Sequence, residues 1–143
     1  MLKNSLGKSG YVGQYIESGA SETEVTTGFT NGQWRTIATM ILNKGNYLVR
    51  GCVLFGGSTN NQPSISLGAA ISRYPDHTTS DHRGNKNTHA MLSNNSTTDA
   101  HIEISGYRMQ ITSDNTPVYY KAVASNWGGG PVIRAHISAI CIQ

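Results

Sequence analysis

Residues 34 to 55 read WRTIATMILNKGNYLVRGCVLF and consist of two apolar runs joined by a turn signal, NKGN. The first run alternates as a strand with one buried face does. Its two alternating sets are Trp34, Thr36, Ala38, Met40 and Leu42 on one side, and Arg35, Ile37, Thr39 and Ile41 on the other. The second run, residues 47 to 55, is rich in β-branched and aromatic residues, which favour strands. The pattern predicts two long β-strands that pair as a hairpin across the turn.

The rest of the chain carries the same kind of pattern. Further strands are predicted over residues 64–74, 101–112, 117–127 and 131–143, with shorter candidates at GQYIE (13–17) and TEVTTGF (23–29). No segment shows an apolar stripe of helical period over three turns. About eight antiparallel strands with turn-rich connections are typical of a jelly roll. The sequence therefore predicts an all-β, eight-stranded antiparallel jelly-roll sandwich.

Composition narrows the class of protein. A chain of 143 residues is the size of one domain that can bury its own core. The formal net charge is +3, but the eleven Lys and Arg residues are scattered, which argues against a nucleic-acid-binding surface. Cys52 and Cys141 lie in apolar runs, where a thiol is expected to pack as a small hydrophobe outside any disulfide framework. No stretch approaches the roughly 18 apolar residues of a membrane span.

The first dozen residues differ from the rest. Leu2 and Leu6 are four residues apart and are followed by Gly7, a pattern typical of the last turn of a helix and its terminal glycine. Residues 1–12 are therefore interpreted as the end of a helical stalk or a linker, and residues 13–143 as the jelly-roll knob domain. A frayed terminus explains the same residues equally well.

The order of motifs over about residues 25 to 143 resembles the trimeric jelly-roll tips of bacteriophage tail fibres and tail needles. The resemblance rests on ILNKGNYLVRGCVLF (41–55), GAAIS (68–72), GYRMQITSDNTPVYYKAVASNWGGG (106–130) and the C-terminal HISAICIQ (136–143). Within that group the chain is most similar to the C-terminal knob of the tail needle of a short-tailed phage, which is similar to a tumour-necrosis-factor-like trimer.

This resemblance implies a homotrimer at the end of a shaft, joined to the rest of the tail apparatus through an N-terminal stalk. It implies a structural protein of the virion, made in the host cytoplasm, without a cofactor or an enzymatic activity. The implied partner is a host cell-surface component such as lipopolysaccharide or an outer-membrane protein. Two other functions stay open, namely a monomeric or dimeric carbohydrate-binding β-sandwich (a lectin) and a capsid decoration protein.

Residues 74 to 101, YPDHTTSDHRGNKNTHAMLSNNSTTDAH, are predicted as one long polar loop that contacts a host surface. A metal site needs imidazoles and carboxylates that converge, and nothing in the local spacing brings these side chains together. Asp and Asn can form hydrogen bonds with sugar hydroxyls, and a Tyr ring can stack against a sugar. Arg and Lys can bind phosphate. The candidate surface-recognition residues are Tyr74, Asp76, His77, Asp81, His82, Arg83, Lys86 and His89.

The last predicted strand is largely apolar on both faces, so both faces need cover. A sandwich covers one face internally, and a neighbouring subunit is the natural cover for the other. Arg134 and His136 lie on the same face, and positive charge buried between subunits needs a partner. A subunit-interface anion site is therefore predicted from Arg134, His136 and Glu103. The alternative is that Arg134 reaches solvent at the strand end.

Signatures of a hydrolase are weak. An enzyme that cuts polysaccharide places two carboxylates in a groove. The close strand-borne pairs in this chain are Glu22 with Glu24 and Asp99 with Glu103, and no GxSxG motif is present. We therefore expect no catalytic residues, no metal site and no cofactor.

Overall fold

The computed structural model describes residues 12–18, 32–56, 65–78, 80–81, 83, 87–94, 99–125 and 132–143. The strands are β1 (Tyr15–Ser18), β2 (Arg35–Leu42), β3 (Gly45–Gly56), β4 (Ile65–Ser72), β5 (Asn87–Asn94), β6 (Asp99–Ile111), β7 (Thr116–Ser125) and β8 (Val132–Cys141). Over the described ranges, no helix is long and apolar enough to cross a membrane.

The strands build two four-stranded antiparallel sheets that pack face to face. The first sheet has the strand order β1-β8-β3-β6 and the second has the order β2-β7-β4-β5. Antiparallel pairs join β1 with β8, β2 with β7, β3 with β6 and β4 with β5. This is the pattern of one long hairpin rolled up on itself. It is a jelly roll, and it confirms the predicted fold class.

The core lies between the sheets because each strand turns its apolar residues to the same side. β3 shows this most clearly, since its inward residues are buried while Arg50 between them is exposed. The largest fully buried side chains are Tyr47, Phe55, Met109, Ile111, Ile133 and Ile137 from the first sheet, and Met40, Leu42, Leu67, Ile71 and Tyr120 from the second. Fully burying one such side chain contributes about 1.5–3 kcal/mol. Hydrophobic burial between the sheets therefore stabilises the sandwich.

The predicted hairpin of β2 and β3 is wrong, although both strands exist. β2 pairs with β7, whereas β3 pairs with β6 and β8 in the opposite sheet. Asn43 and Lys44 therefore carry the chain from one sheet to the other, and the Tyr47 hydroxyl donates to the Asn43 carbonyl oxygen at 3.0 Å. Two strands with one apolar face each can meet edge to edge or face to face, and alternation alone does not distinguish these.

A further correction concerns β5, which lies inside the stretch predicted as a single loop. It is an edge strand that pairs with β4. Its sequence NTHAMLSN lacks clean alternation, so the period of two gives no signal. The Tyr107 hydroxyl on β6 donates to the Asn87 carbonyl oxygen at 2.7 Å, which joins the start of β5 to the other sheet. The connection between β4 and β5 therefore covers only residues 73–86.

The two faces of β8 follow the prediction. One face enters the core and the other points away from it. The core face carries Ile133, Ile137, Ala139 and Cys141, all buried. Arg134 and Ile140 on the other face are exposed. Cys141 therefore packs as a small hydrophobe, as predicted.

Cys52 does not pack as predicted. Gly51 and Val53 point into the core, so alternation turns Cys52 to the outer face of the first sheet. There its thiol is half-buried, and its Sγ lies 2.9 Å from the Nε2 of His101 on β6. The apolar run GCVLF gave no sign of this because a cysteine on either face looks the same in sequence.

Two predicted segments lie outside the described residues. They are residues 1–11 of the stalk or linker and the short strand at residues 23–29. Both stay predictions, as does the domain boundary at residue 13. The described chain begins with a turn at Val12 and Gly13, where the Gly13 amide donates to the Cys141 carbonyl oxygen at 2.7 Å. This contact joins the entrance of β1 to the end of β8.

Candidate functional site

The described residues of the β4–β5 connection, 73–78, 80–81 and 83, fold back over the outer face of the second sheet. Lys121 on β7 points to that face, because its neighbours Tyr120 and Ala122 point into the core. Its ammonium group donates to the carbonyl oxygen of Pro75 and to the Thr36 hydroxyl at 3.2 Å. Lys121 is only 4% exposed. The connection and the strand beneath it are therefore packed together.

His77 is the residue that anchors this connection most deeply. It is 2% exposed, and its ring meets the Trp34 ring edge to face with centroids 4.9 Å apart. Its Nδ1 lies 3.6 Å from a carboxylate oxygen of Asp81. Trp34 comes just before β2, so this contact joins two segments that are distant in sequence.

A salt-bridge network holds the outer part of the connection. The Arg83 Nε donates to both carboxylate oxygens of Asp81, at 2.7 and 2.9 Å, and its Nη2 also contacts Asp81. The same Nη2 reaches Asp76 at 3.2 Å. The guanidinium lies 3.5 Å from the centroid of the Tyr74 ring, a cation–π contact. The polar residues of this stretch therefore bind one another.

The pKa values follow from this packing. Hydrogen bonds from Arg83 hold the pKa of Asp81 well below its ordinary 3.8, although burial acts in the opposite direction. The same contacts raise the pKa of Arg83. Burial lowers the pKa of Lys121, and the carboxylate of Asp76 opposes part of that change. The connection thus contains a tight ionised pair and, beside it, a desolvated ammonium group.

Asp81→Asn is expected to lower the free energy of unfolding by about 1.5–3 kcal/mol near neutral pH, because it removes charge-assisted hydrogen bonds. Asp81 has a lowered pKa in the folded protein. Its contribution is therefore present above the ordinary carboxyl pKa of 3.8 and is lost as pH falls toward the folded value. Urea unfolding measured at about pH 7 and about pH 2.5 checks this. The difference in free energy of unfolding between wild type and variant should be smaller at the lower pH.

Ser80→Ala is the matched control for this prediction. It changes an exposed side chain of the same connection without touching a carboxylate. The difference in free energy of unfolding between wild type and Ser80→Ala should be small at both pH values. A gap for Asp81→Asn that stays constant down to about pH 2.5 would contradict the role given to the Asp81–Arg83 pair.

The predicted recognition residues fall into three groups. Asp76 and Arg83 are exposed and Tyr74 is half-buried, so these three remain accessible to a ligand. His77 and Asp81 are buried and hold the connection in place. His82 and Lys86 lie outside the described residues, and His89 lies on β5 with no description of its side chain. Within the described part of the chain, no group of three or more His, Cys, Asp or Glu residues is placed to hold a metal ion.

A cleft of about 640 Å³ opens between the β4–β5 connection and the segment before β2. It is lined by Gly32, Gln33, Trp34, Pro75, Asp76, His77, Thr78, Ser80 and Lys121. Sequence reasoning missed Trp34 and Lys121, which come from other parts of the chain. The sequence did contain one sign that Lys121 is unusual, because it is the single charged residue in the strand TPVYYKAVAS.

The outer face of the first sheet holds the second predicted group, Arg134, His136 and Glu103. Glu103 pairs with Arg50 of the same chain, Oε1 to Nε, at 2.8 Å. His136 pairs with Glu17, Nε2 to Oε2, at 3.2 Å. Arg134 on β8 is exposed. The structure therefore places the three residues on one face, with Glu103 and His136 paired within their own chain. Their position at a subunit interface stays a prediction.

Large exposed hydrophobic residues lie at one edge of the same face and just before the strand that forms this edge. Among the described residues they are Val12, Tyr15 and Ile140, which are 74%, 56% and 38% exposed. Tyr15 on β1 lies directly across from Ile140 on β8, so the two side chains share this face. Val12 precedes β1 at the same end. We call these three residues the edge patch.

Comparisons with known proteins agree with the topology. No family model and no curated protein matches the chain. Among solved structures, infectious bursal disease virus Gx strain matches with a TM-score of 0.60 and 16% identity over 95% of this chain and 35% of that chain. The Gt strain of that virus matches with a TM-score of 0.56 and 16% identity, over 94% and 34%. The chain shares the β-sandwich fold of these viral proteins.

A third match has the same character. It is the VP2 subviral particle of infectious bursal disease virus, with a TM-score of 0.52 and 16% identity over 90% of this chain and 33% of that chain. This chain therefore spans about a third of the length of the viral chains it matches. Identity of this size shows a common fold.

Proposed function

We propose that this protein is a structural component of a virus particle, the distal knob of a phage tail needle or tail fibre. In this proposal it forms a homotrimer and contacts the host cell envelope during attachment and genome delivery. Two independent observations support it, the ordered motifs over about residues 25 to 143 and the jelly-roll fold shared with viral proteins.

The observation that carries the trimer is the contrast between the two outer faces of the sandwich. On the second sheet, the described residues of the β4–β5 connection cover part of the outer face and bury Lys121. The first sheet exposes the edge patch beside the charge pairs Arg50–Glu103 and Glu17–His136. Apolar residues next to charges of both signs suit contact with a second copy of the same surface. The first sheet is therefore the proposed contact face between subunits.

Light scattering after size exclusion tests this assembly directly. The expected molar mass is three times the 15.4 kDa of the chain, and we expect the trimer to survive mild heating in detergent. A mass of 15.4 kDa would contradict the trimeric knob and leave the monomeric lectin as the better interpretation.

A capsid decoration protein is the second candidate, because the structural neighbours come from virus particles. Fractionation of purified virions distinguishes the two positions. A tail knob is expected with isolated tails, whereas a decoration protein is expected with emptied shells. Recovery in neither fraction would contradict both structural functions.

A further inference from the structure

We propose that the cleft beside Trp34 binds an acidic sugar, with the ammonium group of Lys121 contacting the sugar's negatively charged group. This inference rests on the proposed contact with the host envelope and assigns a ligand class to it. The negatively charged group is a carboxylate or a phosphate, both of which suit a lysine.

Lys121 carries the argument for a negative ligand. It is 4% exposed, and in the described part of the chain it makes no ion pair. An ammonium group has three N–H donors, and the Pro75 carbonyl oxygen and the Thr36 hydroxyl accept two of them. Burying a charge without an opposite charge is costly. An anion in the cleft would accept the third N–H and supply that charge.

The other charged groups near the cleft leave this position open. Asp76 is the carboxylate on the cleft wall, and one of its oxygens is paired with Arg83 at 3.2 Å. Arg83 is in turn held by Asp81. Arg83 is therefore in direct contact with two carboxylates, whereas Lys121 has no carboxylate in direct contact among the described residues and feels Asp76 only at longer range.

The rest of the lining suits a sugar ring. Trp34 and Pro75 provide apolar surface against which the C–H face of a sugar can pack. Gln33, Thr78, Ser80 and the second carboxylate oxygen of Asp76 provide hydrogen-bonding groups for hydroxyls. A volume of about 640 Å³ is within the usual range for small-ligand sites.

The site is organised before a ligand arrives. The buried ring of His77 packs edge to face against Trp34 and limits the orientations of the indole. Lys121 is held by two acceptors. Groups that are already positioned lose less entropy on binding. A single sugar is still small, so we expect a dissociation constant of about 1 mM for one site.

The test is a titration of the full chain, followed by NMR chemical shifts. The ligands are glucuronate, glucose 1-phosphate, neutral glucose and inorganic phosphate. We expect both acidic sugars, or one of them, to bind at least about 10-fold more tightly than glucose and than inorganic phosphate. The shifts should be largest at the Trp34 indole N–H and around Lys121. Binding of only one acidic sugar identifies the charged group.

Lys121→Met is the decisive variant, because it keeps an unbranched apolar stem and removes the ammonium group with its charge. It is expected to reduce the preference for acidic sugars over glucose by about 10-fold. Lys44→Met removes an exposed lysine outside the cleft and should leave the preference unchanged. If Lys121→Met does not fold, the wild-type shift map decides alone, since shifts centred away from Trp34 and Lys121 would overturn the proposal.

The remaining outcomes are equally clear. Equal binding of glucose and the acidic sugars, or no binding at all, overturns the inference. Inorganic phosphate that binds as tightly as the tighter of the two acidic sugars shows an adventitious ion only and also overturns it. A trimer that binds no acidic sugar leaves the proposed structural function in place. A monomer that binds glucuronate in the cleft keeps the site and contradicts the trimeric knob.

Discussion

Glutamate at both Tyr15 and Ile140 is expected to convert the proposed trimer into a folded monomer, with the molar mass falling threefold to 15.4 kDa. The two residues face each other across β1 and β8 and are 56% and 38% exposed, so the folded chain tolerates polar side chains there. Between subunits, the new carboxylates would be desolvated beside copies of themselves, which is costly. Light scattering gives the mass, and circular dichroism checks the fold.

Lys44→Glu is the matched control for the double variant. It also lowers the net charge by two, at an exposed residue in the connection between β2 and β3. The control should stay a trimer, because the change lies outside the edge patch. A double variant that remains a trimer would show that subunits meet through another surface, even if the trimer itself is correct.

Gly51→Ala is expected to lower the free energy of unfolding by about 1–3 kcal/mol. A Cβ atom at Gly51 would lie 2.6 Å from Cε2 and 2.8 Å from Cζ of Tyr120. The Tyr120 ring comes from the opposite sheet and is 0% exposed, so it cannot move aside without disturbing the core. The loss is a large share of the roughly 5–15 kcal/mol of a typical domain. Urea unfolding at a fixed protein concentration measures it.

A double-mutant cycle tests the cause of this loss. Tyr120→Leu removes the ring atoms that a Cβ at residue 51 would meet. Gly51→Ala should therefore cost less in the Tyr120→Leu background than in wild type. Equal costs in the two backgrounds would contradict the steric explanation and indicate a backbone effect at Gly51 itself.

Most of the strands could be predicted from the sequence because alternation is a local signal. Six of the eight strands, namely β2, β3, β4, β6, β7 and β8, coincide closely with long predicted runs, and β1 overlaps the short candidate at residues 13–17. The burial of Ile133 and Ile137 follows the predicted faces. β5 was not predicted, because an edge strand of mixed composition has no clear alternation of apolar and polar residues. The predicted hairpin of β2 and β3 was wrong, because the alternation within a strand does not determine which strand it pairs with.

The candidate site was predicted only in part, for a related reason. Asp76, Arg83 and Tyr74 were found because they lie together in one polar stretch. Trp34 and Lys121 were missed because they lie 40 residues before and 20 residues after that stretch. They reach the cleft only after the sheets have formed. In sequence, a tryptophan before a strand and a lysine within one look like ordinary core and surface residues.

The edge patch and the charge pairs of the first sheet likewise depend partly on local sequence and partly on tertiary structure. The sequence alone sets which side of β3 or β8 enters the core, because successive side chains of a strand point in opposite directions. It does not set which strands become neighbours. The pairing of β8 with β1 and β3 brings Tyr15 to Ile140 and Glu17 to His136, residues more than 100 positions apart. Tertiary structure decides such contacts, because they depend on how the whole chain buries its apolar faces at once.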